Sequence, residues 1–151
     1  MTAELPQLGS TFAEFSVIDT LIVVAYVVVV EGRLLVVRKR HTTKFMFPGG
    51  KPLPDEPYWT AVAREVEEEL GCRADPTSMT CLGEYTTAAA NEANTQLIAH
   101  VYQGRLLGQP TPTNEIEELC WITGQETHLD LAPLLTDCIL PLLRQRGQLP
   151  R

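Results

Sequence analysis

The sequence predicts an α/β fold in which a sheet is packed against helices. One observation is an almost continuously apolar run over residues 21–30, rich in valine, which is typical of a buried β-strand. The other is the helical spacing of apolar side chains in residues 57–70 and 131–144, with strand-like segments between them. Strands interleaved with one internal helix and one terminal helix favour a layered α/β architecture.

Length and composition predict one globular domain. The 151 residues are 44% hydrophobic and 21% charged, and they contain neither an internal repeat nor a linker long enough to divide the chain. We therefore expect one domain over residues 17–147, preceded by a loosely ordered tail over residues 1–16 and followed by a frayed C-terminus over residues 148–151.

The strands are predicted from apolar runs bounded by turn residues. Glu31 and Gly32 separate the first run from residues 33–38, which predicts a hairpin in the middle of the sheet. Further strands are predicted over residues 79–85, 95–102 and 115–122. The polar segment 86–94 is expected to be a loop near a ligand, and residues 104–114 an irregular connection.

The internal helix is predicted to run from Pro57 to Leu70. Glu56 and Pro57 suit an N-cap and a first turn, and Gly71 suits the left-handed position after the last turn. Its apolar stripe is expected to consist of Trp59, Val62, Ala63, Val66 and Leu70. The terminal helix is expected over residues 131–144, with Pro141 bending its final turn.

An unusual density of acids marks the internal helix. Four carboxylates lie within the five positions 65–69, although like charges three and four residues apart repel one another on a helix. At about 100° per residue, Glu65, Glu68 and Glu69 converge on a stripe roughly 100° wide. Convergent hard oxygens are what Mg²⁺ or Mn²⁺ requires, and the Gly49 carbonyl is a further candidate ligand.

These acids belong to a longer spaced pattern. It reads Gly50, five residues, Glu56, seven residues, Arg64-Glu65-Val66, one residue, Glu68-Glu69, one residue, Gly71-Cys72. The pattern resembles the Nudix box, and the preceding Phe47-Pro48-Gly49-Gly50-Lys51 is similar to that family's approach to its box. One position departs from it, because Cys72 stands where a larger aliphatic residue is usual.

The resemblance implies the Nudix fold, a mixed sheet sandwiched between helices, and metal-dependent hydrolysis of a nucleoside diphosphate linked to another group. It implies that Glu65, Glu68 and Glu69 hold the metal, Mg²⁺ with Mn²⁺ able to substitute. Arg64 and Glu56 match positions that form an ion pair, and Arg64 is also placed to orient Glu68. Gly50 and Gly71 complete the structural positions of the box.

The general base is left open between Glu65 and an acid outside the box. Glu92 in the polar loop and Glu115 at the start of the last strand are the candidates that lie outside it. We favour Glu115, because a strand end holds a group more firmly than a long loop does. Glu117 and Glu118 are expected to be ordinary surface acids.

Substrate-binding residues are predicted from the one basic cluster and its aromatic neighbours. Arg38, Arg40 and Lys44 are expected to bind phosphate, Phe47, with Phe45 beside it, to stack on a base, and Asn91 to contact substrate from the loop. This combination favours a nucleoside triphosphate, with modified ones such as oxidised purine nucleotides as candidates, cleaved to monophosphate and pyrophosphate.

Several alternatives stay open at this point. Similar proteins hydrolyse ADP-ribose, nucleotide sugars or dinucleoside polyphosphates. Other proteins of this fold bind a nucleotide without turning it over, and these usually lack a box acid. Others isomerise allylic diphosphates, which requires a cysteine across the site, and Cys72 is poorly placed for that role. A homodimer is also open, since dimers are frequent among similar proteins.

Charge and cysteine usage restrict the partners and the compartment. The formal net charge of −7 argues against DNA or RNA as partner, although it is compatible with one small phosphorylated ligand beside bound metal. The apolar run is too short to span a membrane. The four cysteines show no metal-ligand or CxxC spacing, and no signal peptide is recognisable, so reduced thiols in the cytoplasm are expected.

Overall fold

The computed structural model describes residues 18–151, so the tail expected over residues 1–16 lies outside the described residues. The strands are β1 (Asp19–Val27), β2 (Val29–Val30), β3 (Arg33–Lys39), β4 (Gly49–Gly50), β5 (Arg73–Ala74), β6 (Thr80–Ala88), β7 (Thr95–Gln103), β8 (Leu106–Leu107) and β9 (Ile116–Ile122). The helical segments are α1 (Tyr58–Leu70), a 3₁₀ turn (Pro76–Ser78), a π-helix (Leu134–Ile139) and α2 (Leu140–Gln145).

Two sheets form the centre of the fold. The larger has the order β4-β1-β7-β6, with β1 parallel to β7 and the other neighbours antiparallel. The smaller has the order β2-β3-β9 and is antiparallel throughout, and β5 pairs separately with β8. The predicted α/β class with a mixed sheet is therefore confirmed.

Alternation along the strands gives the sheet two buried faces. Val24, Tyr26 and Val28 pack in one apolar cluster with the buried face of α1, whereas Ala25 and Val27 pack in a second cluster with the terminal helices. Strand β3 divides its side chains between the same two clusters. The sheet is thus covered by a helix on each side, as expected for an α/β/α sandwich.

The expected central hairpin is wrong in its pairing. The apolar run is divided at Val28, so that β1 pairs with β4 and β7 in the larger sheet, and only β2 pairs with β3 in the smaller one. Both parts are apolar because both contribute to the buried faces. A change of sheet inside such a run leaves no trace in its hydrophobic pattern.

The internal helix is confirmed, beginning one residue later than expected. Gly71 ends it with φ +65° and donates its N–H to the Glu67 carbonyl at 3.1 Å. The predicted apolar stripe is wrong at Trp59, whose side chain is 59% exposed. Ala61 is buried in its place, and Glu69 is buried as well, at 3% exposure.

The end of the chain differs from its prediction in two respects. Pro141 lies in the first turn of α2, directly after a wide π-helix, and does not bend a final turn. The C-terminus expected to fray packs against the domain: Leu149 is 4% exposed and belongs to the core. The side chain of Gln125 also donates to the Arg151 carbonyl at 2.7 Å.

Candidate active site

Arg64 connects the acids of α1 to the loop that precedes the helix. Its Nε and Nη2 donate to the two carboxylate oxygens of Glu56, each at 2.9 Å, and this pairing holds the pKa of Glu56 below its ordinary value. Its Nη1 contacts Glu68 at 3.1 Å and Glu65 at 3.3 Å, and Nη2 reaches the Lys51 carbonyl at 3.2 Å. The ion pair with Glu56 and the contact with Glu68 match the sequence prediction.

Glu69 is the buried acid of the group. Its Oε1 accepts a hydrogen bond from the Gly49 N–H at 2.9 Å, which joins α1 to β4. Burial raises the pKa of Glu69 to about 8, against the opposing effect of that hydrogen bond, and the charge of nearby Glu65 adds to the rise. Among residues 18–151 no cation forms an ion pair with this carboxylate.

Glu65 lies against the glycine pair. A Cβ added to Gly50 would be 2.4 Å from Glu65 Oε2, so the absence of a side chain at Gly50 is what lets this carboxylate approach the loop. Burial also raises the pKa of Glu65, and the charge of Arg64 opposes that rise. Two of the three predicted ligand carboxylates are therefore disfavoured in their charged form by their surroundings.

A cavity of about 460 Å³ opens beside these acids. Of the residues predicted to act there, Gly49, Gly50, Glu65, Glu115, Phe47 and Asn91 line it. Much of its lining is apolar and includes Leu21, Val23, Ala25, Leu97, Ala132 and Leu134. The loop residues Ala89 to Glu92 close one side, as expected for a loop near a ligand.

The basic residues of the cavity are not the ones predicted. Arg38 pairs with Glu118 at 2.9 Å, Lys44 with Asp130 at 2.9 Å, and Arg40 with Glu117 at 4.0 Å, and none of the three lines the cavity. Phe45 is a core residue that does not line it either.

Lys39 and Lys51 supply the positive charge at the cavity. Both belong to segments that the sequence marks as unusual, the basic cluster and the residue after the paired glycines. Strand alternation was the available signal that could have selected Lys39 over its neighbours, since it separates Lys39 from Arg38 and Arg40.

Glu115 is held near the box acids by the segment before it. Thr113 N–H donates to the Glu69 carbonyl at 3.0 Å and Asn114 Nδ2 to the Glu68 carbonyl at 2.8 Å, so this segment caps the last turn of α1. Glu115 follows directly and forms an ion pair with Lys39 at 3.2 Å. Glu92 also lines the cavity but belongs to the loop on its other side.

The donor set fits a hard divalent cation, although the side chains are not gathered around one point. Among residues 18–151 no three histidine, cysteine, aspartate or glutamate side chains form a ready-made metal site. Arg64 holds Glu68 and the Gly49 N–H holds Glu69. Carboxylate oxygens are the ligands that Mg²⁺ and Mn²⁺ prefer, and a cation beside the buried Glu69 would offset the burial of its negative charge.

The pKa of Glu69 predicts an unusual pH dependence of stability in the metal-free protein. Below about pH 4.5 the carboxyl is protonated in both states; between there and about pH 8 the folded state retains a proton that the unfolded state has released. The free energy of unfolding should therefore fall as pH rises through this window, by roughly a few kcal/mol, and level off above it.

The measurement is urea denaturation of metal-free wild type and Glu69→Gln from pH 4.5 to 9. The neutral amide should remove most of the decline, so the variant should be the more stable protein at pH 9. Parallel curves for the two proteins would contradict the burial effect assigned to Glu69.

A second concave surface lies on the outer side of α1. This groove, about 550 Å³, includes Trp59, Glu67, Arg73 and Tyr102 and shares Arg64 with the acid network. It contains neither the glycine pair nor Glu65, so the cavity beside β4 is the candidate active site.

None of the helices in residues 18–151 is long and apolar enough to cross a membrane.

Comparison with known proteins places this geometry in context. The model of the NUDIX domain matches residues 20–143. A "MutT-like protein" of Streptomyces ambofaciens is 32% identical over 126 residues, which cover 82% of this chain and 77% of that protein.

Two solved structures are similar to the whole domain. A MutT NUDIX hydrolase from Burkholderia pseudomallei is 26% identical with a TM-score of 0.65, covering 76% of this chain and 91% of its own. A MutT protein from Methanosarcina mazei Go1 is 26% identical with a TM-score of 0.68, covering 85% of this chain and 96% of its own. The family match includes β1 to β9, α1 and most of the terminal helices.

Proposed function

The chain belongs to the Nudix family of hydrolases, and from this premise we propose that it hydrolyses nucleoside triphosphates to the monophosphate and pyrophosphate. Oxidised or otherwise modified purine nucleotides are included among the candidate substrates. The observation that carries the proposal is the cavity beside β4, whose lining combines acids and lysines with an extensive apolar surface.

The apolar part of the cavity lining suits a single nucleoside. Its volume of about 460 Å³ lies within the range of small-molecule sites. Phe47 offers an aromatic surface for a base, and Asn91 and Thr42 offer neutral hydrogen-bonding groups that read polar edges.

The charged part of the cavity lining suits a phosphate chain. Lys39 and Lys51 both line it, in a protein whose formal net charge is −7. Gly49 and Gly50 let the backbone approach a ligand closely, and a free triphosphate brings enough negative charge to engage both lysines. The local positive charge, opposite in sign to the net charge of the protein, supports a phosphorylated ligand beside the two lysines.

The acids provide the chemistry in this proposal. Glu65, Glu68 and Glu69, with the Gly49 carbonyl, would hold Mg²⁺, and Mn²⁺ can substitute for it. When bound, the metal supplies charge neutralisation at the phosphates and a lower pKa for an attacking water. Arg64 keeps Glu65 and Glu68 oriented, and Glu115 or Glu65 accepts the proton that the water loses as its oxygen attacks phosphorus. The anhydride bond between the α- and β-phosphates breaks, and the products are nucleoside monophosphate and pyrophosphate.

Two observations bear on the alternatives. A shallow depression formed by Pro52, Leu53, Pro57 and Tyr58 adjoins the cavity at Lys51, and it is where the second group of ADP-ribose, a nucleotide sugar or a dinucleoside polyphosphate would lie. Its openness to solvent favours the free triphosphate. The complete set of box acids weighs against a nucleotide sensor without turnover.

The substrate proposal predicts the order of kcat/KM values. Nucleoside triphosphates should exceed ADP-ribose, nucleotide sugars and diadenosine polyphosphates at one Mg²⁺ concentration. A tenfold preference for ADP-ribose or a nucleotide sugar, about 1.4 kcal/mol of differential transition-state binding, would overturn the choice of substrate and leave hydrolysis standing.

A further inference from the structure

Lys39 lies at an irregular point of β3. Leu35 and Val37 belong to the cluster that packs against α1, and alternation continues that row to Lys39. A bulge between Arg38 and Lys39 shifts the register with β9, so that Arg38 lies opposite Glu118 and Lys39 opposite Ile116. The residue that this shift leaves unpaired is Glu117 of β9, so the alternation of β3 is kept and the Lys39 side chain reaches the cavity.

The backbone around Lys39 is firmly held. Its carbonyl accepts hydrogen bonds from Thr42 N–H at 3.2 Å and from Thr42 Oγ1 at 2.7 Å. The next residue, Arg40, donates its N–H to the Glu115 carbonyl at 2.9 Å. The main chains that carry Lys39 and Glu115 are therefore joined, while the two side chains remain free to change partners.

The Lys39 ammonium contacts Glu115, and its charge also acts on the acids of α1. Its Nζ is 3.2 Å from Glu115 Oε1. Burial raises the pKa of both Glu65 and Glu69, and the positive charge of Lys39 opposes the rise in each of them. The charge of Glu115 acts on Glu69 in the opposite direction. The charge of Lys39 therefore acts on Glu115 and on two of the predicted metal ligands.

The pair with Glu115 is suited to exchange. The side chains of Lys39 and Glu115 are 35% and 60% exposed, and ion pairs of such exposure contribute little stability. A phosphate chain carries more negative charge than one carboxylate and accepts charge-assisted hydrogen bonds from a flexible lysine. Arg38 has no comparable freedom, because its guanidinium donates to Glu118 at 2.9 Å and to the Thr42 carbonyl at 2.8 Å.

We propose that Lys39 changes partners during the reaction: it pairs with Glu115 in the free enzyme and moves to a phosphate oxygen of the bound nucleotide, which releases Glu115 toward the attacking water. Lys39 is then a substrate-binding residue and also a positioning residue for Glu115. The inference rests on the proposed function, because it takes the phosphate chain to be the group that displaces Glu115.

The test compares steady-state kinetics of Lys39→Met, Lys39→Arg, Glu115→Gln and the double variant Lys39→Met/Glu115→Gln with wild type. Arg33→Met is the matched control, since Arg33 is an exposed residue at the opposite end of the same strand. Calorimetric titration with inorganic tripolyphosphate in Mg²⁺ measures phosphate binding independently of turnover.

Lys39→Met should raise KM and weaken tripolyphosphate binding by about tenfold or more, and Lys39→Arg should restore most of the affinity. Glu115→Gln should lower kcat by on the order of 10²-fold while lowering KM, because Lys39 loses its competing partner. That decrease in KM should vanish in the double variant. A purely structural ion pair would not produce this split between KM and kcat.

The two levels of the account fail differently. Wild type that turns over no nucleoside triphosphate would overturn the proposed function, and the tripolyphosphate titration would still decide whether Lys39 binds a phosphate chain. Active wild type with Lys39→Met indistinguishable from Arg33→Met would overturn the role of Lys39. If Glu115→Gln changes KM equally in wild type and in the Lys39→Met variant, the exchange of partners would be overturned.

Discussion

Glu68→Gln should lower kcat by on the order of 10³-fold or more, with little change in the free energy of unfolding. The side chain of Glu68 is 44% exposed and contacts Arg64, so an amide of the same shape leaves the apolar packing of α1 undisturbed. The amide carries no negative charge, however, and it is a far poorer ligand for a hard cation than a carboxylate. The loss should therefore fall on turnover and on metal affinity together.

Glu67→Gln is the matched control for this variant. Glu67 is the adjacent acid of the same helix, is exposed, and lines the outer groove. Activity at saturating Mg²⁺ and Mn²⁺ binding, measured by calorimetry, should be normal in Glu67→Gln and severely reduced in Glu68→Gln. Equal activity in the two variants would show that Glu68 does not hold the metal.

Alanine substitutions at the glycine pair should separate folding from activity. A Cβ on Gly49 would lie 2.0 Å from the Val24 carbonyl oxygen, which is main chain in β1, and Gly49 has φ +150°. Gly49→Ala should therefore reduce the free energy of unfolding by about 2–5 kcal/mol through overpacking and backbone strain. Urea denaturation of the variant and wild type measures this loss.

Gly50→Ala should have the opposite profile. Its Cβ would meet the carboxylate of Glu65, which is the end of a flexible side chain, so Glu65 can rotate away at little cost to stability. The displaced carboxylate should lower kcat by on the order of 10²-fold, since misplacement by about 1 Å is enough for such a loss. Similar stability losses in the two variants, with full activity in Gly50→Ala, would contradict the close approach of Glu65.

Most of the architecture could be predicted because its signals are local. The spacing of Val62, Val66 and Leu70 gives the buried face of α1, and Gly71 gives its end. The relation between sheets could not be predicted, because Val29 after the break packs in the same apolar cluster as Ala25 and Val27 before it. Packing of the C-terminus depends on contacts between Leu149 and core residues that are distant in sequence. The residues next to Leu149 in the sequence do not indicate these contacts.

The acids of the site were predictable by type and spacing, whereas their environments were not. A helical wheel separates Glu69 from the apolar stripe, yet the neighbouring β4 covers it and the Gly49 N–H binds it. The same wheel assigns Trp59 to the buried stripe, although no element within residues 18–151 covers that position. Burial of a helical side chain depends on which neighbour packs there, and sequence spacing alone does not identify that neighbour.

The basic residues show the same division. A cluster of cations before the glycine pair indicates where a phosphate would lie, but the choice among Arg38, Lys39 and Arg40 depends on strand alternation and on the bulge where β3 pairs with β9. The bulge exists because β9 contributes an additional residue opposite β3, which is a property of the pairing between distant segments. Surface ion pairs with Glu117 and Glu118 then occupy the two arginines.

The most direct test of the account is ³¹P NMR of nucleoside triphosphates incubated with the purified protein, with Mg²⁺ and with excess EDTA. We expect nucleoside monophosphate and pyrophosphate to appear together in equal amounts with Mg²⁺, and neither product to appear with EDTA. Binding of nucleotide without new phosphorus signals, or release of orthophosphate as the primary product, would contradict the proposed pyrophosphohydrolase.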